Sequence, residues 1–129
     1  MNVDAIVVGA GPAGSTAARG IAERGGSVLL LDRARFPRDK PCGGGVTVRC
    51  AELLPFSIDP VVEDVVTRAR LRVRDGRDIE RDAGGVLTYM TQRRRLDAFL
   101  VERAQQAGVE FRDGQQVTDL RRLPDGSYK

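Results

Sequence analysis

Residues 3–32 read VDAIVVGAGPAGSTAARGIAERGGSVLLLD, and this stretch decides the fold. Val3 to Val8 is a short apolar run without alternation, the pattern of a strand buried on both faces, and it is expected to be the central strand of a parallel sheet. The run stops abruptly at glycines. From Gly14 to about Arg24 the chain is rich in alanine and other helix formers, with Ala18, Ile21 and Ala22 on one face, and Gly25 and Gly26 end it. Ser27 to Leu31 then reads as a second buried strand closing on Asp32. Strand, glycine turn, helix and strand in this order make a βαβ unit.

The turn itself, GAGPAG at 9–14, is GxGxxG between a predicted strand and a predicted helix. Gly9 permits the tight turn, Gly11 lets the backbone approach a pyrophosphate, and Gly14 allows the helix to pack close to the strand. Pro12 and Ala13 complete this candidate cofactor-binding loop. The helix N-terminus offers free N–H groups and about half a unit of positive charge to phosphates. Alone, such a motif also fits an ordinary glycine turn. Asp32 changes the weighting, because a carboxylate at the end of the second strand accepts hydrogen bonds from an adenosine ribose. Motif and carboxylate together point to dinucleotide binding; FAD and NAD both remain open on these residues.

Outward from this unit, residues 33–45 form a loop of arginines, prolines and glycines that contains PRDKPCGGG at 37–45. Thr47 to Leu54 is expected to be a short helix, and Val61 to Val66 a brief helical or extended piece. From Ala69 the pattern alternates, with Leu71 and Val73 on one side and Arg70, Arg72 and Arg74 on the other. Asp75 and Gly76 mark a turn, a second polar strand follows, and Gly85 to Thr91 gives a further one. These strands, over 69–91, are expected to be antiparallel, half exposed and separate from the βαβ sheet. Leu96, Phe99, Leu100, Ala104 and Ala107 then share one face of a helix ended by Gly108. Val109 to Phe111 should return to the parallel sheet, and Val117 to Leu123 should begin a strand before the turn at 124–126. Only three residues follow that turn, so the strand's edge is expected to stay open and the chain reads as cut off.

Composition narrows the classes. The 129 residues carry 21 basic and 18 acidic side chains, a net charge of +3, with 30% charged and 41% hydrophobic residues. One soluble domain with a single core fits these values. The small basic excess, spread along the chain and without aromatic side chains between the arginines, argues against a nucleic-acid partner. Cys42 and Cys50 form neither a disulfide framework nor a paired metal motif, so no metal is expected and a cytoplasmic compartment is the default. No apolar run reaches the roughly 20 residues that span a bilayer, and no signal peptide is apparent.

The segments DAIVVGAGPAGSTAA, VLLLDRARFPRDKPCGGGV and RRRLDAFLVERAQQAGVEF resemble, in this order and spacing, the N-terminal part of the geranylgeranyl reductase family, p-hydroxybenzoate hydroxylase-like flavoproteins. FPRDKPCGG is the narrower signature. The resemblance implies an α/β fold, a Rossmann-like FAD-binding βαβ with a parallel sheet plus an antiparallel layer, incomplete here, and FAD as the cofactor. It places Gly9, Gly11 and Gly14 at the pyrophosphate, Asp32 at the adenosine ribose, Arg33 beside the adenine and Val117 against the adenine through its backbone. Arg93 would be a flavin-nucleotide contact, with Arg94 and Arg95 as surface residues. Cys42, Gly43 and Gly44 would lie near the flavin ring, with Cys42 positioning substrate or relaying a proton. Lys40 would lower the thiol pKa if close, and Cys50 would be structural. The implied reaction is reduction of polyprenyl double bonds, with NAD(P)H or a ferredoxin-like protein as electron donor and peripheral membrane contact left open. This piece alone would not turn over. A flavin monooxygenase or halogenase of the same fold and a non-catalytic nucleotide-binding remnant are the alternatives.

Overall fold

The computed structural model describes residues 2–74 and 76–129, so the expected turn residue Asp75 lies outside the described residues. In chain order the elements are β1 (Ala5–Val8), α1 (Pro12–Ala22), β2 (Val28–Leu31), β3 (Gly45–Thr47), α2 (Val48–Glu52), a 3-10 turn (Asp59–Val61), β4 (Val62–Val66), β5 (Arg68–Arg72), β6 (Asp78–Asp82), β7 (Thr88–Thr91), α3 (Arg93–Gln106) and β8 (Glu110–Arg112). The chain divides into two compact units. One comprises the segments ending at Arg38 and starting at Asp97; the other is Asp39–Leu96.

In the first unit β1, β2 and β8 form a parallel sheet in that order, with Val7 beside Leu30 and Leu30 beside Phe111. Both crossovers advance in the same direction. With right-handed connections the helices therefore lie on one face. On that face Val28 and Leu30 of β2, Ala18 of α1, and Val101 and Ala104 of α3 form the buried core. The other face explains a correction. β1 is an edge strand in this three-stranded sheet rather than the central one, and Ile6 and Val8 are 47% and 62% exposed rather than buried. Their neighbours in register, Leu29 and Leu31, are half-buried.

Local chemistry sets the limits of α1. It begins at Pro12, two residues before the expected start, because proline presets the helical φ and lacks the N–H that a first-turn residue cannot use. It ends in paired bonds from Gly26 N–H to the Ile21 carbonyl and Gly25 N–H to the Ala22 carbonyl. At the amino ends of β1 and β2, Asp4 Oδ2 accepts from the Ser27 backbone N–H at 2.8 Å and the Ser27 hydroxyl at 2.7 Å. The hydroxyl, then the amide, hold the Asp4 carboxyl below its ordinary pKa. The folded value being the lower, this tie is present above the ordinary carboxylate pKa and is lost as pH falls through the folded value. Asp4→Asn is expected to remove that acid-side loss from thermal melts recorded as a function of pH.

The second unit contains an antiparallel sheet in the order β3-β7-β4 and an antiparallel hairpin of β5 and β6. Across the hairpin Arg68, Arg70 and Arg72 pair with Asp82, Glu80 and Asp78, while Leu71 stands opposite Ile79 on the other face. The expected alternation is present. Residues 62–66 are extended, not helical, and α2 is shorter than 47–54: Thr47 caps it, its hydroxyl accepting from Cys50 N–H. Gly45 belongs to β3, not to the preceding loop.

The strand expected over 117–123 does not form. Val117 and Leu120 are exposed and no ladder runs beside them. An extended run makes a strand only where a neighbour supplies hydrogen bonds, and here Arg121 pairs with Lys129 and Leu123 with Ser127 in a tight hairpin. The expected open edge is thus closed at 121–129.

Candidate functional site

The carboxyl ends of β1 and β2 meet at the glycine loop. Gly9 N–H donates to the Leu31 carbonyl at 2.7 Å, which continues the sheet pairing into the turn. Gly14 follows immediately beneath. A Cβ on Gly14 would lie 1.8 Å from the Gly9 carbonyl oxygen, so only glycine permits this approach. Ser15, 1% exposed, donates its hydroxyl to the Ala10 carbonyl at 3.2 Å and locks the loop from inside.

Gly11 is the N-cap of α1 and no side chain caps the helix. The first-turn amides of Ala13 and Gly14 have no intrahelical acceptor, and Pro12 has no N–H to compete with them. An anion fits this end of the helix.

Asp32 stands beside it, 7% exposed. Its Oδ2 accepts from Ala10 N–H at 2.8 Å and its Oδ1 from Ala34 N–H at 2.9 Å. Each carboxylate oxygen thus keeps one further acceptor position, which is what a vicinal diol of a ribose requires. The sequence assigned Asp32 to a ligand; the structure shows that it also ties the glycine loop to β2. Arg33, next in the chain, is exposed. Gln115 N–H donates to the Asp32 carbonyl at 2.8 Å and Gly114 N–H to the Ala34 carbonyl at 3.2 Å, which brings the segment leading to Val117 alongside this corner. Gly9, Gly11, Pro12, Ala13, Gly14, Asp32, Arg33 and the approach to Val117 therefore converge in the first unit.

Cys42, Gly43, Gly44 and Arg93 belong to the second unit. Cys42 is exposed and outside any disulfide, and its sulfur accepts from Gly44 N–H at 3.4 Å. Gly44 is buried against β7: the Thr91 N–H and hydroxyl both donate to its carbonyl, at 2.8 and 2.9 Å. Arg93 is half-buried at the start of α3. Arg94 pairs with Asp39 and Arg95 with Glu63, so these two are surface ion pairs. Cys50 is exposed on α2 rather than packed. Among the described residues no cluster of three or more metal-ligating side chains occurs, and no helix is long and apolar enough to cross a membrane.

Sequence reasoning missed Ser15, Arg38 and Asp97. For Ser15 no pattern marks it among the small residues of α1. Asp97 did leave a signal: it sits four and seven residues before Val101 and Ala104, on the core-facing stripe of α3, where a carboxylate needs a partner.

The FAD binding domain family matches residues 2–127. The menaquinone reductase of Mycobacterium tuberculosis is 45% identical over 86 residues, covering 65% of this chain and 21% of the relative. The geranylgeranyl diphosphate reductase of Rhodobacter capsulatus is 42% identical over 111 residues, covering 85% and 27%. A geranylgeranyl bacteriochlorophyll reductase-like protein of Thermoplasma acidophilum superposes with a TM-score of 0.82 at 25% identity, over 95% of this chain and 32% of that one. Flavin-dependent halogenases share the fold alone, at 23% identity. The chain spans less than a third of the length of these curated relatives. The glycine cradle, the uncapped helix start and the acidic strand end suit FAD, and the chain belongs to the FAD binding domain family.

Proposed function

We propose that this chain is the FAD-binding part of a flavoprotein that reduces isolated carbon–carbon double bonds of a polyprenyl substrate, in the manner of a geranylgeranyl reductase. The observation that carries the cofactor assignment is Asp32, whose two oxygens each accept from one backbone amide and each keep a further acceptor position for a ribose hydroxyl, beside the uncapped start of α1. The reductive chemistry is supported by the 42% identity to a geranylgeranyl diphosphate reductase.

In this reading the amides of Ala13 and Gly14 hold the pyrophosphate, Asp32 the adenosine ribose, Arg33 the adenine edge and the backbone at Val117 its other side. Arg93 contacts the flavin nucleotide. Reduced FAD, when bound, supplies a hydride to one carbon of the double bond, while the other carbon takes a proton from a protein group or water. Gly43 and Gly44 shape the loop on the flavin side, and Cys42 positions substrate or passes that proton. The antiparallel strands over 69–91 begin the substrate layer. NAD(P)H or a ferredoxin-like protein supplies electrons, in the cytoplasm, with peripheral contact to the membrane that holds the lipid.

Titrating the purified chain with FAD, followed by flavin fluorescence and thermal shift, tests the cofactor site. Asp32→Ala is expected to weaken binding about 10- to 100-fold, the loss of charge-assisted hydrogen bonds. Unchanged affinity would remove Asp32 from the site. In the longer protein, anaerobic incubation with reduced flavin and geranylgeranyl diphosphate should add two hydrogens per double bond by mass spectrometry. Cys42→Ser should slow this step while leaving FAD content intact; full activity would make the loop structural.

A further inference from the structure

Arg38 and Asp97 meet in the first unit where the chain leaves it and where it returns. Asp97 is 0% exposed, and its Oδ2 lies 3.0 Å from Arg38 Nη1. A fully buried carboxylate on the core stripe of a helix is costly unless a cation offsets it, and the pair is harder to explain as a source of stability than two apolar residues would be. The other end of the guanidinium suggests what it is for. Arg38 Nη2 stands 3.9 Å from Asp32 Oδ2, the oxygen that accepts from Ala10 N–H. The guanidinium also lies over the Phe36 ring, 4.9 Å from its centroid, and Phe36 packs edge-on against Phe111 of β8 at 5.2 Å. The guanidinium is therefore held by a charge on one side and a ring on another.

We propose that Asp97 is a positioning residue for the nucleotide site: acting through Arg38, it holds the Asp32 carboxylate in the orientation that receives the adenosine ribose. The chain of contacts runs from the buried anion of α3, through a planar cation fixed by Phe36, to the carboxylate at the end of β2. Arginine suits the middle place because its fork addresses two carboxylates at once, which a lysine ammonium on a flexible stem does not. Arg38 Nη1 is buried and makes no aligned hydrogen bond, so its placement rests on charge and stacking rather than on a fitted donor geometry. Removing the Asp97 charge leaves the guanidinium with Asp32 as its nearby anion. It then no longer stays in the plane set by Asp97 and Phe36, and the Asp32 carboxylate loses the cation that orients it.

This inference rests on the ribose assignment of Asp32, and the test separates the two. Amide hydrogen exchange at Ala10 and Ala34, the two donors to Asp32, and the affinity for FAD and ADP are measured for Asp97→Asn and Asp32→Ala. Asp97→Asn is expected to change exchange at both amides and to weaken FAD and ADP about tenfold, the size of one coupling between neighbouring charged groups. If Asp32→Ala weakens binding and Asp97→Asn alters neither exchange nor affinity, the positioning role is overturned and the ribose site stands. If Asp32→Ala has no effect on binding, the ribose assignment fails, and exchange at Ala10 and Ala34 in Asp97→Asn still decides whether Asp97 acts on Asp32. Should Asp97→Asn fail to fold, Arg38→Met with Asp97→Leu removes both charges together. That double variant is expected to fold and still bind about tenfold more weakly. A double variant with both stability and affinity restored would make the pair a staple between two chain crossings and nothing more.

Discussion

Gly14→Ala is expected to abolish FAD retention and to lower the unfolding free energy by about 1–3 kcal/mol, the range for forcing atoms into a packed site. The added Cβ would sit 1.8 Å from the Gly9 carbonyl oxygen and 3.0 Å from its carbon, both backbone atoms that no side-chain rotation can move. Either α1 slides away from β1 or the Gly9 turn opens. Both movements disturb the same things: Ser15, which closes the loop onto Ala10, and Ala10 N–H, which is held by Asp32. The anion site at the helix start and the ribose carboxylate are thus lost together. Gly20→Ala is the matched control in the same helix. Its Cβ would meet only the Arg24 guanidinium at 3.3 Å, a flexible side-chain end, so helix propensity should dominate and stabilise by about 0.5–1 kcal/mol. Thermal melts and flavin fluorescence on the two variants check the pair. Equal behaviour would show that the close approach at Gly14 carries no weight.

The βαβ unit was legible in the sequence because each of its decisions is local. Pro12 starts α1, Gly25 and Gly26 stop it, and the apolar runs on either side have no other way to bury themselves. What sequence could not reveal is what covers a strand from outside the unit. Val3 to Val8 has the composition of a strand buried on both faces, yet Ile6 and Val8 are open here, since helix α1 and helix α3 both lie on the other side. The run at 117–123 differs from the expected strand for a related reason: only its last residues, 121–123, find hydrogen-bonding partners, in the tight hairpin with 127–129. Within the site, the motif residues have a fixed spacing that a sequence displays, while Ser15, Arg38 and Asp97 have none. Their roles depend on contacts between residues distant in the chain, and a contact such as that of Arg38 with Asp97 leaves only an indirect trace, a charge on a stripe that ought to be apolar.

Gly44→Ala carries the second large effect, and it separates two meanings of the glycines after Cys42. Gly44 has φ +78°, a backbone conformation that L side chains rarely adopt, and a Cβ there would lie 1.9 Å from the Thr91 carbonyl oxygen. Its carbonyl takes two hydrogen bonds from Thr91, so the residue cannot move without opening the junction between the loop and β7. A loss of about 2–4 kcal/mol is expected, strain and clash together. Gly43 differs. A Cβ there meets nothing within 4 Å, so Gly43→Ala should be within about 0.5 kcal/mol of the parent in denaturant unfolding. If FAD affinity nonetheless falls in Gly43→Ala, the bare backbone at 43 serves the ligand, whereas at 44 it serves the fold. If both variants unfold like the parent, the loop is held by neither contact. Because Cys42 sulfur accepts from Gly44 N–H, a displaced Gly44 also withdraws that donor from the thiol. Its alkylation rate by a neutral maleimide should then fall in Gly44→Ala, since an N–H donated to sulfur favours the reactive thiolate, and stay unchanged in Gly43→Ala, which links the strained glycine to the placement of the one side chain in this loop with redox and proton chemistry.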